Sequence, residues 1–201
     1  MGRPKAFDPR QALDGATRTF RRYGYAGASI DRLTRAMGIR RASAYATFGD
    51  KRALFLRCLE AYALGTAGGI AERLDGAPDP LAGVRTVLLE VARRAAEPDG
   101  RDGCLITNTA AELSGLDREI AAVVRGALTD IEDAYHRALE RAQAAGDLDP
   151  RRDPRAIARF LVTTMHGLRI MGKAGADARA LRAVAEEALR SLGSGAEEDS
   201  P

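Results

Sequence analysis

Three Asp–Pro pairs punctuate this chain, at Asp8-Pro9, Asp79-Pro80 and Asp153-Pro154, and each precedes a run with apolar residues at helical spacing. An aspartate ahead of a helix accepts hydrogen bonds from the unsatisfied first-turn amides. A proline at the first helical position gives up an amide hydrogen that has no partner there. The punctuation therefore commits the chain to helices. Residues 8–24 place Leu13, Ala16, Thr17 and Phe20 on one face, with Arg10, Arg18, Arg21 and Arg22 mainly off it, and Gly24 is expected to end the helix. Residues 80–97 carry Leu81, Val84, Leu88 and Val91 and stop at Pro98-Asp99-Gly100. Residues 153–173 carry Ile157, Phe160, Leu161 and Leu168, and residues 177–192 carry Leu181, Val184, Ala185 and Leu189. Residues 117–145 keep the period from Ile120 to Leu139 and beyond, over about seven turns. A short helix over 104–114 and a long one from Asp50 to about Leu74 complete the pattern. No segment alternates as a strand does, and no solenoid period repeats. The expected fold is all-α, with about nine helices.

Charge and aromatic content divide the chain. Its net charge of +3 is the remainder of +9 on residues 1–57, with 13 Lys/Arg against 4 Asp/Glu, and −6 on the rest, with 18 against 24. Eight of the ten aromatic residues lie at or before Tyr62; only Tyr135 and Phe160 follow. A small basic unit joined to a larger acidic one suggests a polyanion partner for the first. No run of about 18 apolar residues indicates a membrane span. Met1-Gly2-Arg3-Pro4-Lys5 has no apolar signal region, and Cys58 and Cys104 cannot build a disulfide scaffold, so a cytoplasmic location is expected.

Residues 28–48 carry the functional signal. Ser29 can cap a helix whose first turn holds Asp31 and whose apolar face is Ile30, Leu33 and Met37. Gly38 supplies a sharp turn where positive φ is cheap, and Ile39 plugs it. A second helix over about 40–47 presents the small residues Ala42, Ser43, Ala44 and Ala46 behind Arg40 and Arg41, so that it can approach base edges. Helix, tight glycine turn, helix is the helix-turn-helix plan.

The run Gly38-Ile39-x-x-x-Ser43-x-Tyr45-x-x-Phe48-Gly49-Asp50-Lys51-x-x-Leu54-Phe55 resembles the signature of the TetR/AcrR family of transcriptional regulators, over about residues 8–57. Phe20-x-x-Tyr23-Gly24-Tyr25 and Ser29-Ile30-x-x-Leu33 belong to the same resemblance. Ala44 departs from the bulkier Leu usual there, which should loosen the packing of the second helix. The resemblance implies a repressor that binds a near-palindromic operator as a homodimer, with residues 153–173 and 177–192 forming the dimer interface. It implies Arg41, Ser43 and Thr47 as base readers and Tyr45, Lys51 and Ser29 as phosphate contacts. Arg40 suits either role, and Ala42 lies among them. It implies a DNA-binding domain over 1–50 and a ligand-binding and dimerisation domain over 51–192; by its polar composition the tail over 193–201 is expected to be disordered. A ligand in the second domain would shift the helix from Asp50 to Leu74 and move the two recognition helices out of register with successive grooves.

For the small-molecule effector, Asn108 and Glu112 lie four apart on one helix face, and Tyr62, Tyr135, His166 and Arg169 are further candidates. Each has an ordinary reading as packing or solvated surface. Cys104, near a helix start, could sense oxidants or electrophiles, although a buried small residue is the plainer reading. His136 and His166 have no ligand cluster around them, so no metal and no cofactor are expected. Gly65-x-x-Gly68-Gly69 is not a phosphate loop and should weaken or bend a long helix. Arg3 and Lys5 sit in an arm that could reach a minor groove. A DNA-binding protein without ligand control shares the features of residues 1–57. A helical enzyme would need a nucleophile, metal or nucleotide constellation, and none is evident.

Overall fold

The computed structural model describes residues 7–193. The arm carrying Arg3 and Lys5, and the tail beyond Gly193, lie outside the described residues. Among the described residues there are nine α-helices and no strand: α1 (Pro9–Gly27), α2 (Ile30–Met37), α3 (Arg41–Phe48), α4 (Lys51–Asp75), α5 (Pro80–Ala96), α6 (Leu105–Leu113), α7 (Arg118–Ala145), α8 (Pro154–Lys173) and α9 (Ala178–Gly193). A 3₁₀ turn over Pro98–Asp102 separates α5 from α6. The all-α expectation holds, helix for helix.

The Asp–Pro pairs act as capping physics requires. The carboxylates of Asp8, Asp79 and Asp153 accept hydrogen bonds from the backbone amides of Arg10 (2.8 Å), Ala82 (3.0 Å) and Arg155 (2.8 Å). One expected boundary differs. Gly24 breaks α1 with φ 70°, ψ 179°, a conformation that excludes side chains, but a further helical turn follows it to Gly27. The glycines of α4 do not interrupt it: the helix is continuous through Gly65, Gly68 and Gly69.

Contacts group the chain into two units, each discontinuous in sequence. One holds the described residues up to Leu64 together with Cys104–Val124; the other holds Gly65–Gly103 and the described residues from Arg125 on. The first therefore comprises α1 to α3, the start of α4, α6 and the start of α7. Its core is aromatic: Phe20 meets Phe55 edge to face at 4.8 Å, and Tyr25 meets Phe55 at 5.1 Å. Such pairs add about 0.5–1.5 kcal/mol each beyond the area they bury. The second unit packs α5, α8, α9 and most of α7 around an aliphatic core that includes Leu88, Ile131, Leu139, Leu161, Met165 and Leu181. Tyr135 is buried among them.

Candidate functional site

Ser29, Gly38 and Arg40 define the segment that presents α3. Ser29 Oγ accepts the Arg32 amide at 3.2 Å and so caps α2; its own O–H is left to donate. Gly38 takes φ 66°, ψ 24°, and the amides of Gly38 and Ile39 bond back to the carbonyls of Arg35 and Thr34, both at 3.2 Å. That left-handed closure turns the chain at once into α3. Arg40 is the N-cap of α3 and is exposed; as a donor-only side chain it cannot cap the first-turn amides.

Burial sorts α3 into two faces. Ala44 and Phe48 are buried against the unit. Arg41, Ala42, Tyr45 and Ala46 are exposed, and Ser43 and Thr47 are half-buried at the edges of that outer face. Beside Ala44 a small cleft of about 10 Å³ lies among Leu33, Met37 and Leu54, about the size that holds one water. Tyr45 is 41% exposed. Arg41 Nη2 lies 3.5 Å from the Tyr45 hydroxyl, with its guanidinium over the Tyr45 ring at 5.7 Å. Lys51, the first residue of α4, holds its Nζ over the Tyr25 ring at 4.6 Å. The eight expected DNA-facing residues thus all lie in one stretch of the first unit, and Arg40, Arg41, Ala42 and Tyr45 share an exposed surface.

Sequence spacing did not reveal the rest of the basic surface. Tyr23, exposed, has the guanidinium of Arg32 at 4.4 Å from its ring centre and that of Arg22 at 5.5 Å. Arg22 precedes Tyr23, but Arg32 comes from α2, and only the packing of α1 against α2 brings it there.

The residues expected to meet an effector divide between the units. Tyr62, Cys104, Asn108 and Glu112 belong to the first. Asn108 Nδ2 donates to the Arg21 carbonyl at 3.0 Å, and the Arg21 guanidinium lies 5.8 Å from the Tyr62 ring centre. Glu112 accepts the amides of Tyr25 and Ala26, each at 2.8 Å. Cys104 is 2% exposed at the N-cap of α6. A sensing thiol must meet its reagent, so this burial argues against the oxidant-sensor alternative. Cys58 is buried as expected, and burial pushes its thiol up to about 12.

Tyr135, His166 and Arg169 belong to the second unit. The Tyr135 hydroxyl is buried without a hydrogen-bond partner, and burial raises its pKa far above the ordinary value. Burial, reinforced by the charge of Arg169, lowers His166 to about 4, so its imidazole is neutral at pH 7. The charges of Arg169 and Arg73 oppose part of that rise at Tyr135. On α8 and α9 of this unit, Phe160, Ile170, Met171 and Val184 expose large apolar side chains. Among the described residues no group of His, Cys, Asp and Glu has metal-ligand geometry, and no helix is long and apolar enough to cross a membrane.

Comparison with known proteins places this geometry. A family model described as bacterial regulatory proteins, tetR family, matches residues 12–58, and a tetracyclin repressor-like C-terminal domain matches residues 80–188. The chain is 34% identical over 178 residues to the uncharacterized HTH-type transcriptional regulator YezE of Bacillus subtilis, covering 88% of this chain and 92% of that one. It is 28% identical over 190 residues to the HTH-type transcriptional repressor ComR of Escherichia coli, covering 94% and 90%. A cysteine mutant of the TetR family transcriptional regulator CifR, complexed with 26-bp operator DNA, matches with a TM-score of 0.84 at 34% identity, over 95% of this chain and 100% of that one.

Proposed function

The chain belongs to the TetR family of transcriptional regulators, and from that premise we propose that it is a DNA-binding repressor without catalytic turnover. It acts in the cytoplasm, where its DNA is. It binds a near-palindromic operator as a homodimer, and a small molecule releases it. The observation that carries the reading is the exposed face of α3, where Arg40, Arg41, Ala42 and Tyr45 stand out from a helix whose other face is anchored by Ala44 and Phe48.

Chemistry assigns the roles. Arg41, with Ser43 and Thr47, reads base edges: a guanidinium fork matches guanine O6 and N7, and hydroxyls serve as donor or acceptor. Tyr45, Lys51 and Ser29 hold phosphates, which fixes register without carrying sequence. Arg40, at the N-cap, serves either role. The name of ComR and the operator in the CifR complex support DNA as the partner. The exposed apolar residues of α8 and α9 support a dimer through these helices, since Phe160, Met171 and Val184 would lose water on pairing.

For the effector, the supporting observation is the buried, unpartnered Tyr135 hydroxyl in the unit that also holds His166 and Arg169. A buried hydroxyl without a partner costs about 1–3 kcal/mol, which a ligand acceptor would recover. Because α4 is one continuous helix with residues in both units, a ligand that prefers a shifted α4 would move α3 with it. The domain limits of 1–50 and 51–192 are part of the same proposal. The test is selection of duplexes from a random pool by the purified protein. Enrichment of a near-palindrome supports the reading, and failure to enrich any sequence refutes it.

A further inference from the structure

The first unit contains a clasp that neither the helix-turn-helix pattern nor the DNA reading requires. Gly24 breaks α1, and the break leaves the amides of Tyr25 and Ala26 without helical acceptors. Glu112 of α6, 87 residues away from Tyr25, takes both: Oε2 accepts from Tyr25 and Oε1 from Ala26, each at 2.8 Å. The fit is close, since a Cβ at Gly24 would stand 2.7 Å from Glu112 Oε2. The segment after α6 grips the start of α4 in the same way. Asp117 receives Arg52 Nε at 2.7 Å and Nη2 at 3.0 Å, and Glu119 receives Nη2 at 2.7 Å. Hydrogen bonds from Arg52 hold the Asp117 carboxyl down at about 2. The same carboxylate caps α7 through the Glu119 and Ile120 amides.

The two clasps converge. Glu112 fixes the backbone of Tyr25, whose ring packs edge to face on Phe55 and lies beneath the Lys51 ammonium. Asp117 fixes Arg52, the residue after Lys51. Of two adjacent cations at the start of α4, one is anchored to carboxylates and the other rests on a ring held from behind.

We propose that Glu112 and Asp117 are positioning residues for DNA binding: they hold the Tyr25–Lys51 pair where Lys51 meets a phosphate. This rests on the DNA-binding reading above. It makes α6 and the α6–α7 connection part of the DNA-binding apparatus, although these carboxylates touch no DNA themselves.

The sign of the effect separates positioning from simple electrostatics. Removing a carboxylate near a polyanion site should strengthen binding by charge alone. Positioning requires the opposite. The probe is the duplex that the wild-type protein enriches from a random pool, measured across a salt titration. Glu112→Ala is expected to weaken binding up to about fivefold, no more than loss of Lys51 itself, and to flatten the salt slope by about one phosphate contact. Asp117→Asn, which keeps the α7 cap but loses the charge opposite Arg52, is expected to weaken it about threefold. In a Lys51→Ala background both losses should shrink below about twofold, because residues acting through one contact do not add. Full additivity with Lys51→Ala overturns the proposal, as does unchanged or tighter binding by folded Glu112→Ala and Asp117→Asn proteins. If Glu112→Ala fails to fold, Asp117→Asn alone decides by the same two criteria. A wild-type protein that enriches no duplex instead defeats the DNA-binding reading, and this inference falls with it.

Discussion

The two units solve packing in opposite ways. The first is built on rings, Phe20, Tyr25 and Phe55, and carries its cations outward on Arg22, Arg32, Arg40 and Arg41. The second is built on aliphatic side chains, with one fully buried ring, and that ring carries a hydroxyl without a partner. Edge-to-face rings add directional packing beyond the area they bury, beneath the surface that carries the cations. An aliphatic core with an unsatisfied polar group carries a cost that binding can relieve. The difference matches a reading unit and a responding unit.

The largest effect is expected at the apolar face of α8 and α9. Val184→Glu combined with Met171→Glu, both at residues more than half exposed, should yield monomers in sedimentation. Affinity for the selected duplex should fall at least about a hundredfold, as two linked half-site contacts become one. A dimer with unchanged affinity would remove α8 and α9 from the interface. Next comes Arg41→Ala, expected to cost about 1–3 kcal/mol and relax the base preference at one position in each half-site. An unchanged selected sequence would assign Arg41 to the backbone.

The second unit should be sensitive to acid. His166 is lowered in the folded protein, from 6.5 to about 4, so the unfolded chain binds its proton first. The histidine's contribution is intact above about pH 6.5 and is lost as pH falls toward 4, with about 2 kcal/mol gone by pH 5. His166→Gln should flatten the fall in melting temperature between pH 7 and 5 relative to wild type, and parallel curves would contradict this. A smaller effect is expected for Lys51→Ala, about 1 kcal/mol for all sequences alike, with a shallower salt slope. Smallest is Tyr135→Phe, which removes the unpartnered hydroxyl and should raise stability by about 1 kcal/mol in a denaturant melt, the low end of the cost given above. A loss of stability would mean that the hydroxyl has a partner.

Much of the first unit was legible along the chain because its determinants are local. Ser29 capping α2, Gly38 in the left-handed region and the Asp–Pro starts each involve residues a few positions apart. The division of α3 into an anchored and an exposed face follows from its helical period. What escaped is long-range. Gly24 reads as a helix stop, but the turn beyond it survives because Glu112 supplies acceptors from α6. Asn108 and Glu112 do share a face, as their spacing requires, yet only the folded chain shows that this face meets α1. The unpartnered Tyr135 hydroxyl has no sequence signal either, because satisfaction of a buried group depends on neighbours distant in sequence.

The central claim is that α3 reads DNA from each half of a twofold dimer. Its most direct test is the symmetry and spacing of the duplex enriched by the wild-type protein. The expected result is a near-palindrome whose half-site centres lie about 10–10.5 bp apart, about 34–36 Å, or a multiple of that. An enriched site with no internal symmetry, bound by a single protomer, would contradict it.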